Sequence, residues 1–196
     1  MTKKVSFLLP DLRGGGAERV CLDLADAFAE MGHDVEFVLL SAHGELFEEA
    51  KVRHNVMDLA SPRLRNAIGP LCRYLKTRRP DILIAAMWPL TVVAPIAARL
   101  VRFRGKILVS EHAMISKQYE SWGKVHRVAL HSSTFIGYRL ADACVGVSKG
   151  VAADMADIAV MNPKLIDVVH NPIRVFAAPT VEDLSFDLRA GETLCL

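Results

Sequence analysis

Apolar residues along this chain gather in short runs, each followed by a longer stretch in which they return every three or four positions. The runs "VSFLLP", "DVEFVLL", "HNVMDL", "DILIAAM", "KILVSEH", "ACVGVS" and "LIDVVHN" have the length and β-branched content of strands. In the first intervening stretch Val20, Leu24, Ala27, Phe28 and Met31 fall on one helical face, and Gly32 follows as a stop. Strands that read as continuous apolar runs are covered on both faces, and alternation with helices joins them by crossovers. The pattern therefore predicts an α/β fold, a Rossmann-like, mainly parallel sheet with helices on both faces.

One segment tests that reading. Residues 82–98, "ILIAAMWPLTVVAPIAA", carry no charge over a length at the lower limit for crossing a bilayer. Pro89 and Pro95 interrupt it, so a buried strand followed by a helix is expected. After "HNPIRVFAAP" the alternation breaks, and "TVEDLSFDLRAGETLCL" reads as a connection leading to the first strand of another domain. The expected division is a Rossmann-like domain over 1–175, then a linker and the truncated start of a missing domain over 176–196.

Composition narrows the classes. With 52% apolar residues the chain can bury a full core, and a net charge of +2 argues against a dedicated nucleic-acid binder. The charge is uneven: residues 63–139 hold fourteen Lys and Arg against Asp81, Glu111 and Glu120, which suggests an anionic ligand or surface. Cys21, Cys72, Cys144 and Cys195 are far apart and form no C-x-x-C pair, as expected of reduced thiols in the cytoplasm. The N-terminal apolar run is too short for a signal peptide.

Three consecutive glycines, Gly14, Gly15 and Gly16, stand between the first strand and the first helix. A loop in that position points its amides into the crevice beyond the carboxyl ends of the strands. The helix N-terminus there favours phosphate oxygens. A long tight turn without a ligand is the alternative. A dinucleotide fingerprint starting at Gly14 would need a glycine where Arg19 stands, and no G-K-[ST] follows, so the spelling speaks against NAD and against a P-loop.

The loop "GGGAERV", the strand end "LVSEH", the strand and helix "VGVSKGVAADM", and "VVHNPI" together resemble the N-terminal half of a family 4 glycosyltransferase of the GT-B fold, over about residues 3–175. The sequence looks most similar to bacterial enzymes that build polysaccharide or lipopolysaccharide chains. The resemblance implies a retaining, metal-independent hexosyl transfer from a nucleotide-diphosphate sugar to a glycan or lipid-linked acceptor, with no further cofactor. It sets Gly14, Gly15 and Gly16 against the donor diphosphate and His112 near the donor sugar as the catalytic candidate. The second domain, which would carry the base, the ribose and a cationic clamp, would be missing, leaving this chain alone inactive.

Glu18, Arg19, Trp88 and Glu111 are candidate acceptor contacts. Glu18 equally suits the helix dipole, and a strand-end His112 bonded to nearby backbone would look the same in sequence. Ser148 reads as a helix N-cap. Met87 and Trp88 end the fourth strand where the resemblance implies polar residues, a departure that leaves the acceptor pocket open and would suit a more apolar acceptor. His112, His126 and His131 lack a carboxylate or thiol to complete a set, so no metal site is expected. In "PRLRNAIGPLCRYLKTRRP" the stripe Ile68, Leu71, Cys72 and Leu75 is flanked by Arg65, Arg73, Lys76 and Arg79. Such a helix either lies peripherally on the anionic inner face of the cell membrane or packs on the sheet. Two other functional classes remain open: a non-enzymatic module binding a phosphorylated ligand, and a sugar-nucleotide epimerase of the same architecture.

Overall fold

The computed structural model describes residues 1–172. In chain order they form β1 (Lys4–Leu9), α1 (Gly16–Glu30), β2 (Asp34–Leu39), α2 (Phe47–Arg53), β3 (Asn55–Asp58), α3 (Ile68–Arg78) and β4 (Ile82–Ala86). Then follow α4 (Leu90–Leu100), β5 (Lys106–Glu111), α5 (Ile115–Gln118), α6 (Gly123–Leu140), β6 (Ala143–Gly146), α7 (Lys149–Ala159) and β7 (Ile166–Val168). All seven apolar runs become strands, paired in parallel in the order β3-β2-β1-β4-β5-β6-β7. The order reverses between β1 and β4. In such sheets ligands sit at the reversal, beyond the carboxyl ends.

Side-chain alternation along the strands builds two cores. Val5, Phe7 and Leu9 of β1, with Val35, Phe37 and Leu39 of β2, pack under Cys21, Leu22 and Ala25 of α1 and Ala50 of α2. On the other face Leu8, Val38, Leu83, Ala85, Ile107 and Val109 meet α3, α4, α6 and α7 through Leu71, Leu90, Tyr138 and Met155. Period-two burial on both faces is what makes each strand read as an unbroken apolar run.

Two sequence expectations shift. The buried edge of α1 is Val20, Cys21, Leu22 and Ala25, while Met31 is 70% exposed, because it caps the helix beyond its last packed turn. In α3 the inner part of the apolar stripe is core: Leu71 and Leu75, with Tyr74, are buried against the sheet, while Ile68 at the start of the helix is exposed. The charge-free segment divides into β4 and α4 as expected, and among the described residues no helix is long and apolar enough to cross a membrane. Cys21, Cys72 and Cys144 are free thiols. The expected linker and second-domain strand, residues 176–196 with Cys195, lie outside the described residues.

Buried polar groups escaped the sequence reading, Glu36 among them. Glu36 of β2 faces α3, where the Tyr74 hydroxyl donates to it and Lys4 Nζ pairs with it at 3.1 Å. A buried carboxylate tolerates such a place only when its oxygens are occupied.

Candidate functional site

Because every strand runs the same way, the loops after β1, β4, β5 and β6 open on one edge. They bring Gly14–Gly16, Met87–Pro89, His112–Met114 and Val147–Ser148 to that edge, with the β1 and β4 loops flanking the reversal of strand order.

The glycine loop is exposed. Gly14 has φ of 101°, a left-handed conformation that disfavours other residues. Gly15 is the N-cap of α1 with no side-chain hydrogen bond to the cap, and the first amide of the helix to find a backbone carbonyl is that of Arg19, on Gly15. The preceding helical amides lack intrahelical partners, as helix starts do. Two carboxylates lean over this backbone. A Cβ on Gly15 would come within 2.5 Å of Glu18 Oε2, and one on Gly14 within 2.9 Å of Glu45 Oε2. The nearby cations are already paired. Arg13 bonds Asp11 at 2.8 Å, and Arg19 holds Glu49 at 2.8 Å rather than reaching into the crevice.

A second glycine underlies this geometry. Gly44 has φ of 124°, and a Cβ there would stand 2.0 Å from the carbonyl oxygen of Leu12. That close approach lets Leu12 donate to His43 and accept from Leu46, both at 3.0 Å, so the loop after β2 props the glycine loop from behind. The "HGE" after the second strand was the available signal, since glycine there marks a turn or a close approach.

Glu111 ends β5 facing inward. It is 1% exposed and accepts from the Trp88 backbone at 3.1 Å, Thr91 Oγ1 at 2.6 Å and the Tyr138 hydroxyl at 2.9 Å. Expected at the acceptor, its carboxylate is instead enclosed by protein donors and ties the β4 turn and the start of α4 to α6. Burial pushes its pKa up to about 7 against the opposing pull of the three hydrogen bonds. Thr91 sits inside an apolar run and Tyr138 far along α6, so neither was legible as its partner.

His112 points to the other face. Its Nε2 lies 3.3 Å from Ser110 Oγ, and its Nδ1 is buried without a partner among the described residues. Burial lowers its pKa to about 4, so the ring is neutral near pH 7.

Trp88 opens an aromatic row. Its ring centroid lies 5.0 Å from that of Tyr119, which lies 4.5 Å from Trp122, and His126 follows at 5.3 Å. Tyr119 and Trp122 were missed because "YESW" shows no regular period. Ser148 caps α7, accepting from Val151 at 3.2 Å, the structural role expected of it. Among the described residues no group of His, Cys, Asp and Glu is placed to hold a metal.

The family model Glycosyltransferase Family 4 matches residues 14–175. Among solved structures, HepE of Anabaena in complex with UDP-glucose superposes with a TM-score of 0.67 at 17% identity, over 87% of this chain and 44% of that one. The lipopolysaccharide outer core galactosyltransferase WaaB gives 0.63 at 15%, over 92% and 50%. MurG of Acinetobacter baumannii gives 0.60 at 15%, over 90% and 47%. At such identities the likeness is one of fold, and the chain spans about half the length of these proteins. No curated protein sequence matches.

Proposed function

Since the chain belongs to glycosyltransferase family 4, we propose that it is the acceptor-side, N-terminal half of a retaining, metal-independent enzyme that moves a hexosyl group from a nucleotide-diphosphate sugar to a glycan or lipid-linked acceptor. The observation that carries this reading is that the loops holding Gly14, Gly15 and Gly16, Trp88 and His112 all leave the carboxyl edge of the parallel sheet, those after β1 and β4 flanking the reversal of strand order.

In this reading Gly14, Gly15 and Gly16 face the donor diphosphate through backbone amides. Glu18 and Glu45 lean over the same backbone, so neutralising the diphosphate falls to cations outside this half of the cleft. The two carboxylates suit sugar hydroxyls better than phosphate oxygens, which keeps Glu18 as an acceptor contact. His112, neutral, hydrogen-bonds a donor-sugar hydroxyl without adding positive charge to an oxocarbenium-like transition state. Glu111 acts as a positioning residue, holding the turn that carries Trp88. Trp88, Tyr119 and Trp122 offer aromatic faces to a sugar ring or the apolar part of a lipid-linked acceptor. The site of action would be cytoplasmic, at the inner membrane face where lipid-linked sugars are built.

The test is transfer by the protein expressed from its whole reading frame, given UDP- and GDP-sugars and glycan or lipid-linked acceptors. Acceptor-dependent transfer with the anomeric configuration kept supports the proposal. Sugar turnover without an acceptor would make the protein an epimerase, and binding without turnover would leave a ligand-binding module.

A further inference from the structure

At the edge opposite the glycine loop the fold gathers a second group of charges. The turns from α3 to β4 and from α4 to β5 lie side by side, because β4 and β5 are parallel neighbours. Around them Lys3, Lys76, Arg79, Arg102, Arg104 and Lys106 surround a cleft of about 840 Å³ whose one carboxylate is Asp81. In the sequence these cations are scattered from position 3 to position 106. Only the parallel sheet makes them one group.

Asp81 is already committed. Its Oδ1 lies 3.7 Å from Lys3 Nζ, and its Oδ2 accepts from the Lys4 backbone at 2.8 Å. Lys106 pairs with Asp142 at 2.7 Å. Among the described residues Lys76, Arg79, Arg102 and Arg104 have no carboxylate partner, and the contact of Arg79 is Nε donating to the Lys76 carbonyl at 3.1 Å.

The carbonyl ends of α3 and α4 meet this edge and draw cations by themselves. Each helix end is worth about half a negative charge, so the two ends, Asp81 and the Asp142 partner of Lys106 together offset roughly three of the six cations, leaving about three positive charges unanswered. The turns do not call for arginine either. Arg79 and Arg102 sit at φ of 46° and 51°, where glycine or asparagine would be less strained. Phe103, Pro80 and Val101 supply an apolar wall, and the volume is in the range of small-ligand sites.

We infer that this cleft at the amino ends of the strands binds a ligand carrying several phosphate charges. Guanidinium groups converging from two turns match phosphate oxygens in fork geometry, and unpaired cations pay no cost of breaking an existing ion pair. Clustered phosphodiester headgroups of an anionic lipid surface and a soluble polyphosphate present the same chemistry. The site is distinct from the glycine loop by the full length of the strands.

The test uses the full chain and reads binding alone, so it stands apart from any outcome on sugar transfer. Calorimetric titration with inorganic tripolyphosphate at low salt is compared for the wild type, the cleft variant Arg79→Gln/Arg102→Gln/Arg104→Gln, and a control, Lys51→Gln/Lys124→Gln/Lys164→Gln, that removes the same charge elsewhere. All six side chains are exposed, and thermal melts check that both variants fold. The cleft variant should bind at least about tenfold more weakly while the control stays within about twofold. Equal weakening in both variants, or no tripolyphosphate binding by the wild type, would overturn the site. Sedimentation with phosphatidylglycerol vesicles, against phosphatidylcholine alone, identifies the source. Vesicle binding lost in the cleft variant assigns a lipid headgroup, and vesicle binding absent or unaffected assigns a soluble phosphate.

Discussion

Replacing Glu111 by glutamine should tilt the pH dependence of stability without altering the shape of the site. In the folded protein the Glu111 pKa is raised to about 7 from 4.5, with burial as the leading cause. Below pH 4.5 both folded and unfolded chains hold the proton. As pH rises toward 7 the unfolded chain ionises while the buried acid does not, so this residue's contribution to stability falls through that window. His112, its neighbour, runs the other way. Its pKa is lowered from 6.5 to about 4, so its contribution is present above pH 6.5 and lost as pH falls toward 4. Between pH 4.5 and 6.5 the unfolded chain carries the pair's proton on His112 and the folded chain carries it on Glu111. The two slopes therefore offset each other. Glutamine keeps the volume and an acceptor oxygen but removes the titration, leaving the histidine slope exposed. One pK unit corresponds to about 1.4 kcal/mol, and most of the Glu111 shift is traversed between pH 7 and pH 4.5. The stability of wild type minus that of Glu111→Gln should thus grow by roughly 2.5 kcal/mol over that interval. Urea unfolding at steps of half a pH unit measures it, and groups unaffected by the substitution cancel in the difference. A difference flat to within about 0.5 kcal/mol would refute the assignment of a buried, protonated acid at the end of β5.

Four further outcomes follow from the same geometry. Gly44→Ala should cost about 2–4 kcal/mol by thermal or urea unfolding, because it forces a left-handed residue against the Leu12 carbonyl, whereas Gly16→Ala, with nothing within 4 Å of its Cβ, should leave stability within about 0.5 kcal/mol. Glu18→Gln should tighten binding of a nucleoside diphosphate about threefold in calorimetry, since one carboxylate fewer stands over the glycine backbone; weaker binding would place the phosphates elsewhere. His112→Ala in the complete enzyme should lower kcat about a hundredfold while the protein still folds, and unchanged kinetics in a folded variant would remove His112 from the site. Residues 1–196 alone should bind nucleotide sugars with a Kd of about a millimolar and transfer nothing, and micromolar binding would show that this half holds more of the donor than the glycine loop alone offers.

The strands were legible because a parallel sheet covered on both faces needs apolar residues at consecutive positions, and "VSFLLP" or "DILIAAM" has no other stable place to go. The glycine loop was legible for a related reason: Gly14 carries a left-handed φ that the sequence marks by residue type alone. What stayed hidden depends on residues far apart in the chain. Leu71 and Leu75 between arginines spell a surface helix and a membrane helix alike, and only docking on the sheet makes them core. Glu111 at a strand end looked accessible, but strand alternation turned its carboxylate inward to Thr91 and Tyr138 while His112 took the opposite face. Arg19 looked available until Glu49, thirty residues on, was folded beside it. Local pattern fixes which backbone a segment adopts, since propensity and periodicity act within a few residues. Which face a polar side chain takes, and which charge answers it, is decided by strand order and crossover, through contacts whose partners the chain does not place next to one another.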